Sequence, residues 1–146
     1  MLFRSYWNGG KVENMTTHII PMTYQPKVEG VKNGTIRQTI RLLNGGREKK
    51  VGDVLIIHGW EGAPYRSRWG WQRREVINYT ETFEATKNNI ESDGFLTWAW
   101  GEAYATDLAI KDGIDPPTGL ELRNVLEKYH GRFHDFNPVH FQIIRW

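Results

Sequence analysis

The run Val54-Leu55-Ile56-Ile57-His58 is apolar through four residues in a row, with no polar alternation, and has the length of a strand. Such a strand is covered on both faces, so it reads as the central buried strand of the fold. Gly52-Asp53 opens it, and Gly59 to Arg74 follows as a long aromatic and basic loop. At 146 residues the chain suits one domain with a single core. Hydrophobic residues at 39% and charged residues at 25% describe a globular protein, and a mean hydropathy of -0.59 indicates a polar surface.

Several function classes drop out on composition. With no cysteine, disulfide frameworks, thiolate zinc sites and cysteine nucleophiles are excluded, and a reducing compartment fits. No apolar run approaches the roughly 18 residues of a membrane span, and no charged-then-apolar leader begins the chain, so a soluble cytoplasmic protein is expected. The net charge of +2 does not by itself announce a nucleic-acid binder, so electrostatic arguments rest on local clustering. Seven tryptophans exceed what a core of this size uses, which implies that some are exposed for a reason.

Taken in order, residues 1–16 mix Arg4, Tyr6, Trp7, Gly9, Gly10 and Lys11 without a period and read as an extension to a domain spanning residues 17–146. A short strand is expected over Thr17 to Tyr24, with Pro21 favouring an edge or a strand end. Pro26 begins a helix of about two turns, Lys27 to Asn33, that Asn33-Gly34 stops. A strand from Thr35 to Leu43 follows, then a turn at Asn44-Gly45-Gly46 and a charged loop from Arg47 to Lys50. Glu75 to Ala85 predicts a strand whose inner face is Ile77, Tyr79 and Phe83. Ser92-Asp93-Gly94 turns the chain before Trp98 and Trp100. A helix from Glu102 to Lys111 ends in Asp112-Gly113. Thr118 and Glu121 form a capping box for a helix from Gly119 to His130, whose core face is Leu120, Leu122, Val125, Leu126 and Tyr129. Val139 to Trp146 is the last strand.

Two stretches carry candidate chemistry. On a strand, Arg37, Thr39 and Arg41 share one face and Ile36, Gln38 and Ile40 the other. Two guanidiniums around a hydroxyl suit a phosphate or a polar base edge, although ordinary surface arginines on a solvated strand give the same pattern. The segment Trp60 to Arg74 concentrates Trp60, Tyr65, Trp69 and Trp71 with Arg66, Arg68, Arg73 and Arg74, against the single acid Glu61. Aromatic faces stack bases and interleaved arginines contact phosphates. The alternative is a β-hairpin with core aromatics under cation-π arginines.

A metal site is not expected: His130 and His134 are four apart and His140 lies further on, but Gly131 and Pro138 interrupt them. Dinucleotide, Walker A and esterase-elbow glycine patterns are absent, and no cofactor is expected. Glu102, Asp107 and Asp112 are the carboxylates worth naming. Asp112 ends a helix, where a negative charge needs an answering cation, so it is either a turn residue beside Gly113 or an acid facing the arginines.

In their order and spacing these segments resemble an ASCH domain of the PUA-like group over Thr17 to Trp146. The residues that carry this are Gly34, Gln38, Thr39, Ile40 and Arg41, then Gly52-Asp53, then the ending from Leu108-to-Gly113 through Gly119-to-Tyr129 to Phe141-to-Trp146. The resemblance implies an α+β fold, a small mixed β-barrel with flanking helices, and a cleft facing RNA or a nucleotide. One branch of that family hydrolyses N4-acetylcytidine with a lysine, a threonine and an acid. Thr39 and Asp112 match the threonine and the acid as catalytic residues, whereas the lysine position holds Ile36, with Arg37 beside it. An arginine stays protonated and is a poor nucleophile or base. The oversized loop suits an added binding wall, an elaboration that would not be out of place in phages.

The sequence therefore favours binding of RNA, single-stranded nucleic acid or a nucleotide. Arg37, Gln38, Thr39 and Arg41 would line the cleft, and Trp60, Tyr65, Arg66, Arg68, Trp69, Trp71 and Arg73 would form the loop wall. A hydrolase acting on a modified nucleoside or RNA through Thr39 and Asp112 is the alternative, and a tryptophan-based protein-interaction domain is the third. A monomer or weak dimer without membrane or metal completes the expectation.

Overall fold

The computed structural model describes the backbone of residues 5–8 and 11–14 and, in full, residues 15–43, 48–92 and 96–146. The expected turns at Asn44-Gly45-Gly46 and Asp93-Gly94 lie outside these residues. In the extension, the backbone of β1 (Ser5–Asn8) pairs antiparallel with β2 (Lys11–Asn14).

The rest is a small mixed α+β domain of three helices and two sheets. The apolar run became β5 (Val54–Trp60), the middle strand of a three-stranded sheet between β3 (Thr17–Pro21), parallel to it, and β6 (Trp69–Val76), antiparallel. Pro21 ends β3 at the sheet edge, where its missing N–H costs no ladder bond. The second sheet has five strands in the order β4 (Gln38–Leu42), β10 (Val139–Arg145), β7 (Tyr79–Ala85), β8 (Asn89–Ser92) and β9 (Leu96–Ala99). Neither sheet closes on itself among the described residues, so the strand pairings do not form the expected closed barrel.

Strand β10 divides the interior into two apolar clusters where a single core was expected. Phe141 and Ile143 join Ile40, Phe83, Trp100, Leu108, Leu122 and Leu126 under α2 (Ala103–Lys111) and α3 (Gly119–His130). Ile144 faces the other way and joins Ile20, Met22, Val31, Leu55, Ile57, Ile77 and Trp146 between the three-stranded sheet and α1 (Gln25–Asn33). Burying a Leu- or Phe-sized side chain contributes about 1.5–3 kcal/mol, so both clusters hold the sheets together.

Helix limits follow local chemistry. Gly34 takes a φ of 83°, which stops α1 as its sequence indicates. Thr118 caps α3 by accepting from the Glu121 amide at 3.1 Å. Only Leu122 and Leu126 of the expected α3 stripe are buried with Val125 against them, while Leu120 and Tyr129 face outward. The segment from Glu75 to Ala85 is broken at Ile77-Asn78 into β6 and β7. Ile77 and Phe83 are buried as expected, but Tyr79 is exposed. The chain from Gly59 to Arg74 is a β-hairpin: β5 runs to Trp60, β6 starts at Trp69, and the turn is confined to residues 61–68.

Candidate functional site

β4 is one of the two edge strands of its sheet. Ile40 enters the helical core, so by the period of two Thr39 and Arg41 face α1 and the end of β3. Gln38, on the Ile40 side, donates to the Leu108 carbonyl at 3.2 Å and to Asp112 Oδ1 at 3.3 Å. Asp112 sits just past α2, where Gln38 of the strand and Lys27 of α1 both reach it.

The residue that completes the arrangement is Lys27, in the first turn of α1. Its side chain is buried, and Nζ donates to Asp112 Oδ2 at 3.3 Å, to Thr39 Oγ1 at 3.4 Å and to the Gln38 carbonyl at 3.4 Å. Thr39 Oγ1 also accepts from Arg41 Nε at 3.1 Å, and Arg41 is anchored by donation from Nη2 to the Pro21 carbonyl at 2.8 Å. The hydroxyl oxygen thus lies between an amine and a guanidinium. Gly113, at a φ of 72°, permits the approach, because a Cβ there would lie 2.8 Å from Lys27 Cβ.

Ile36 occupies no part of this cluster. It packs over Gly30 and Gly113, where a Cβ on Gly30 would lie 2.4 Å from its Cγ1, and it joins the second core. The lysine beside Thr39 and Asp112 comes from the preceding helix and not from the strand. Lys27 and Val31 are the two buried residues of α1 and lie one turn apart, so the signal in the sequence was a lysine sharing the core face of a short helix.

Burial lowers the Lys27 amine below the ordinary lysine range. Arg41 lowers it further, and Asp112 works the other way. Burial raises the Asp112 carboxyl, against the pull of Lys27, Gln38 and Arg41. Burial lowers the Arg41 guanidinium too, against the pull of Asp112, so Lys27, Arg41 and Asp112 form one coupled set of buried ionisable groups. Burial also lowers His130, with Arg41 second; it lies along the same cleft.

The cleft over these groups encloses about 240 Å³ and is lined by Met22, Tyr24, Lys27, Thr39, Arg41, Tyr65, Asp112, Tyr129 and His130 among others. This is slightly below the usual range of about 300–1,000 Å³ for small-molecule sites, enough for one ring and its substituent.

The other sequence candidates divide. Tyr65, at the hairpin tip, lines the cleft mouth. Arg66 and Arg68 beside it are exposed, and among the described residues no carboxylate pairs with them or with Arg74. Trp60 tilts against Tyr65 at 5.0 Å, and Trp69 stacks on the buried His58 at 3.7 Å. Trp71 lies over Gly59 and packs on the second core. Arg73 is held by Glu75 and donates to the Lys32 carbonyl at 2.9 Å. Arg37 precedes β4, donates to the Trp146 carbonyl at 2.7 Å and lines a separate cavity with Ile36, Lys111 and Arg145, so it does not join Thr39 and Arg41. Glu102 accepts from the Ala99 amide before α2, and Asp107 pairs with Lys111 on its surface.

Among the described residues no helix is long and apolar enough to cross a membrane, and no three His, Asp or Glu side chains are grouped to hold a metal. Compared with known protein families, curated proteins and solved structures, the chain matches none.

Proposed function

We propose that this chain is an ASCH-type, PUA-like hydrolase that removes an acyl group from the exocyclic amine of a modified cytidine, acting in the cytoplasm as a monomer or weak dimer. The observation that carries the reading is the buried Lys27 amine between the Thr39 hydroxyl and the Asp112 carboxylate. Nucleophile, base and orienting acid are then in the relation that acyl transfer requires. Contacts of 3.3–3.4 Å are loose, as is common before substrate closes a site.

In this reading neutral Lys27 takes the Thr39 proton as Thr39 Oγ bonds to the acyl carbon and the C=O π pair moves onto the carbonyl oxygen, where Arg41 stabilises the negative charge. The tetrahedral adduct collapses with cleavage of the C–N bond, and the Lys27 ammonium returns the proton to the leaving amine. Water then adds to the Thr39 ester with its proton passing to Lys27. Cleavage of the ester C–O bond frees the carboxylic acid, and the proton returns to Thr39. Gln38 holds Asp112 so that its second oxygen points at Lys27.

Incubation with N4-acetylcytidine, followed by chromatography, tests this. The wild type should release cytidine and acetate, and Thr39→Ala and Lys27→Met should each lose on the order of a thousandfold in kcat. Absence of cytidine with wild type, or variants as fast as wild type, would overturn it. The second reading, a binding module for RNA or another single strand, rests on exposed Tyr65, Arg66 and Arg68. It takes over if wild type leaves the substrate intact while its tryptophan fluorescence responds to oligonucleotides in a salt-dependent way.

A further inference from the structure

The hairpin tip is built to hold one ring at the cleft mouth. Tyr65 has a φ of 63°, a conformation that side-chain-bearing residues other than Asn or Asp adopt at a cost of about 1–2 kcal/mol. The turn around it is closed by its own bonds: Glu61 N to the Arg68 carbonyl at 2.9 Å, Gly62 N to Ser67 Oγ at 3.0 Å, and Ser67 Oγ to the Ala63 carbonyl at 3.0 Å. Gly70 lets the two arms approach, since a Cβ there would lie 3.0 Å from the Glu61 amide nitrogen.

Behind Tyr65 stands an aromatic brace. Trp60 meets its ring at 5.0 Å, His58 meets Trp60 edge-on at 4.9 Å, and Trp69 stacks on His58 at 3.7 Å. Yet Tyr65 is 71% exposed while lining the cleft with Tyr24 and Tyr129. An ordered, strained turn that keeps a large ring in water is unfavourable for folding alone, and such strain marks functional positions.

We infer that Tyr65 is the specificity-determining residue of the cleft, stacking on the planar ring of a heteroaromatic substrate whose acyl group reaches Thr39. This rests on the hydrolase reading for the acyl group, but not for the ring. Stacking of this kind needs no hydrogen bond from the phenol and is lost with the aromatic face.

The test measures N4-acetylcytidine and the non-planar amide N-acetylcyclohexylamine by turnover and by calorimetric binding. It uses wild type, Tyr65→Phe and Tyr65→Asn, with binding measured on each in the Lys27→Met background. Asparagine accepts the left-handed backbone, so Tyr65→Asn removes the ring while keeping the turn. Tyr65→Asn should raise KM and Kd for the cytidine about tenfold or more, with a much smaller change in kcat and none in binding of the cyclohexyl amide. Tyr65→Phe should keep the wild-type Kd. Equal losses for both ligands, or a Tyr65→Asn Kd for the cytidine equal to wild type, would overturn the inference, as would no cytidine binding by wild type. Ring-dependent binding without turnover would sustain the inference and sink the hydrolase.

Discussion

Two carboxylates of this domain lie against basic side chains below the surface, and they are held in opposite ways. Asp53 accepts from His18 Nε2 at 2.8 Å, from the Lys50 amide at 3.0 Å and from the Thr16 amide at 3.2 Å. Burial works to raise it, but these bonds and the His18 charge hold it below the ordinary carboxylate range. Asp112 receives only side chains, Lys27 and Gln38, and burial raises it. Backbone donors cannot leave without unfolding a loop, so Asp53 is a tie at the start of β5. Side-chain donors can exchange protons and rotate, which is why the proposed chemistry is assigned to Asp112. The difference teaches that a buried acid is classified by what donates to it as much as by its depth.

Asparagine substitutions should separate the two. Asp112→Asn removes the acid that orients Lys27, and kcat should fall on the order of a thousandfold in the chromatographic assay. Asp53→Asn should leave kcat near wild type and lower stability by about 2 kcal/mol, a Tm loss of roughly 5–8 °C by calorimetry. Because the folded carboxyl of Asp53 is lowered, its contribution is complete above the unfolded carboxylate pKa of about 3.9 and is lost as pH falls through the folded value. Denaturant melts should therefore show wild type and Asp53→Asn converging in acid. Equal kcat losses in the two variants would erase the distinction.

Much of the frame was legible. The uninterrupted apolar run, Pro21 at an edge, Gly34 as a stop and Thr118 as a cap each report a local preference that tertiary packing left intact. Gly59 to Arg74 reads in sequence as a long loop with a hairpin of core aromatics as the alternative, and the structure takes the hairpin, with Trp71 on the second core and Trp69 on His58. Thr39, Arg41 and Asp112 were named for the cleft and are brought together. Arg37 was not, since the period of two holds only within a strand and β4 begins at Gln38. Lys27 is not legible from the resemblance, which puts a lysine at position 36, where Ile36 stands. What positions a side chain is the face it shares with Val31 and the gap left by Gly113.

That gap gives a smaller effect. Gly113→Ala strains a φ of 72° and drives a methyl into Lys27 Cβ. It should lower kcat about tenfold or more and stability by about 1 kcal/mol, read by assay and melt. Wild-type kcat would mean that Lys27 tolerates displacement.

The most direct measurement is the titration of the Lys27 amine by NMR, following its Cε and Nζ shifts in specifically labelled protein. The midpoint should lie below the ordinary lysine value of about 10.4 and fall further in Asp112→Asn, because Asp112 is the group that holds it up. A midpoint shared with the surface lysines, or a rise on removing Asp112, would contradict the claim that Lys27 is the base of this site.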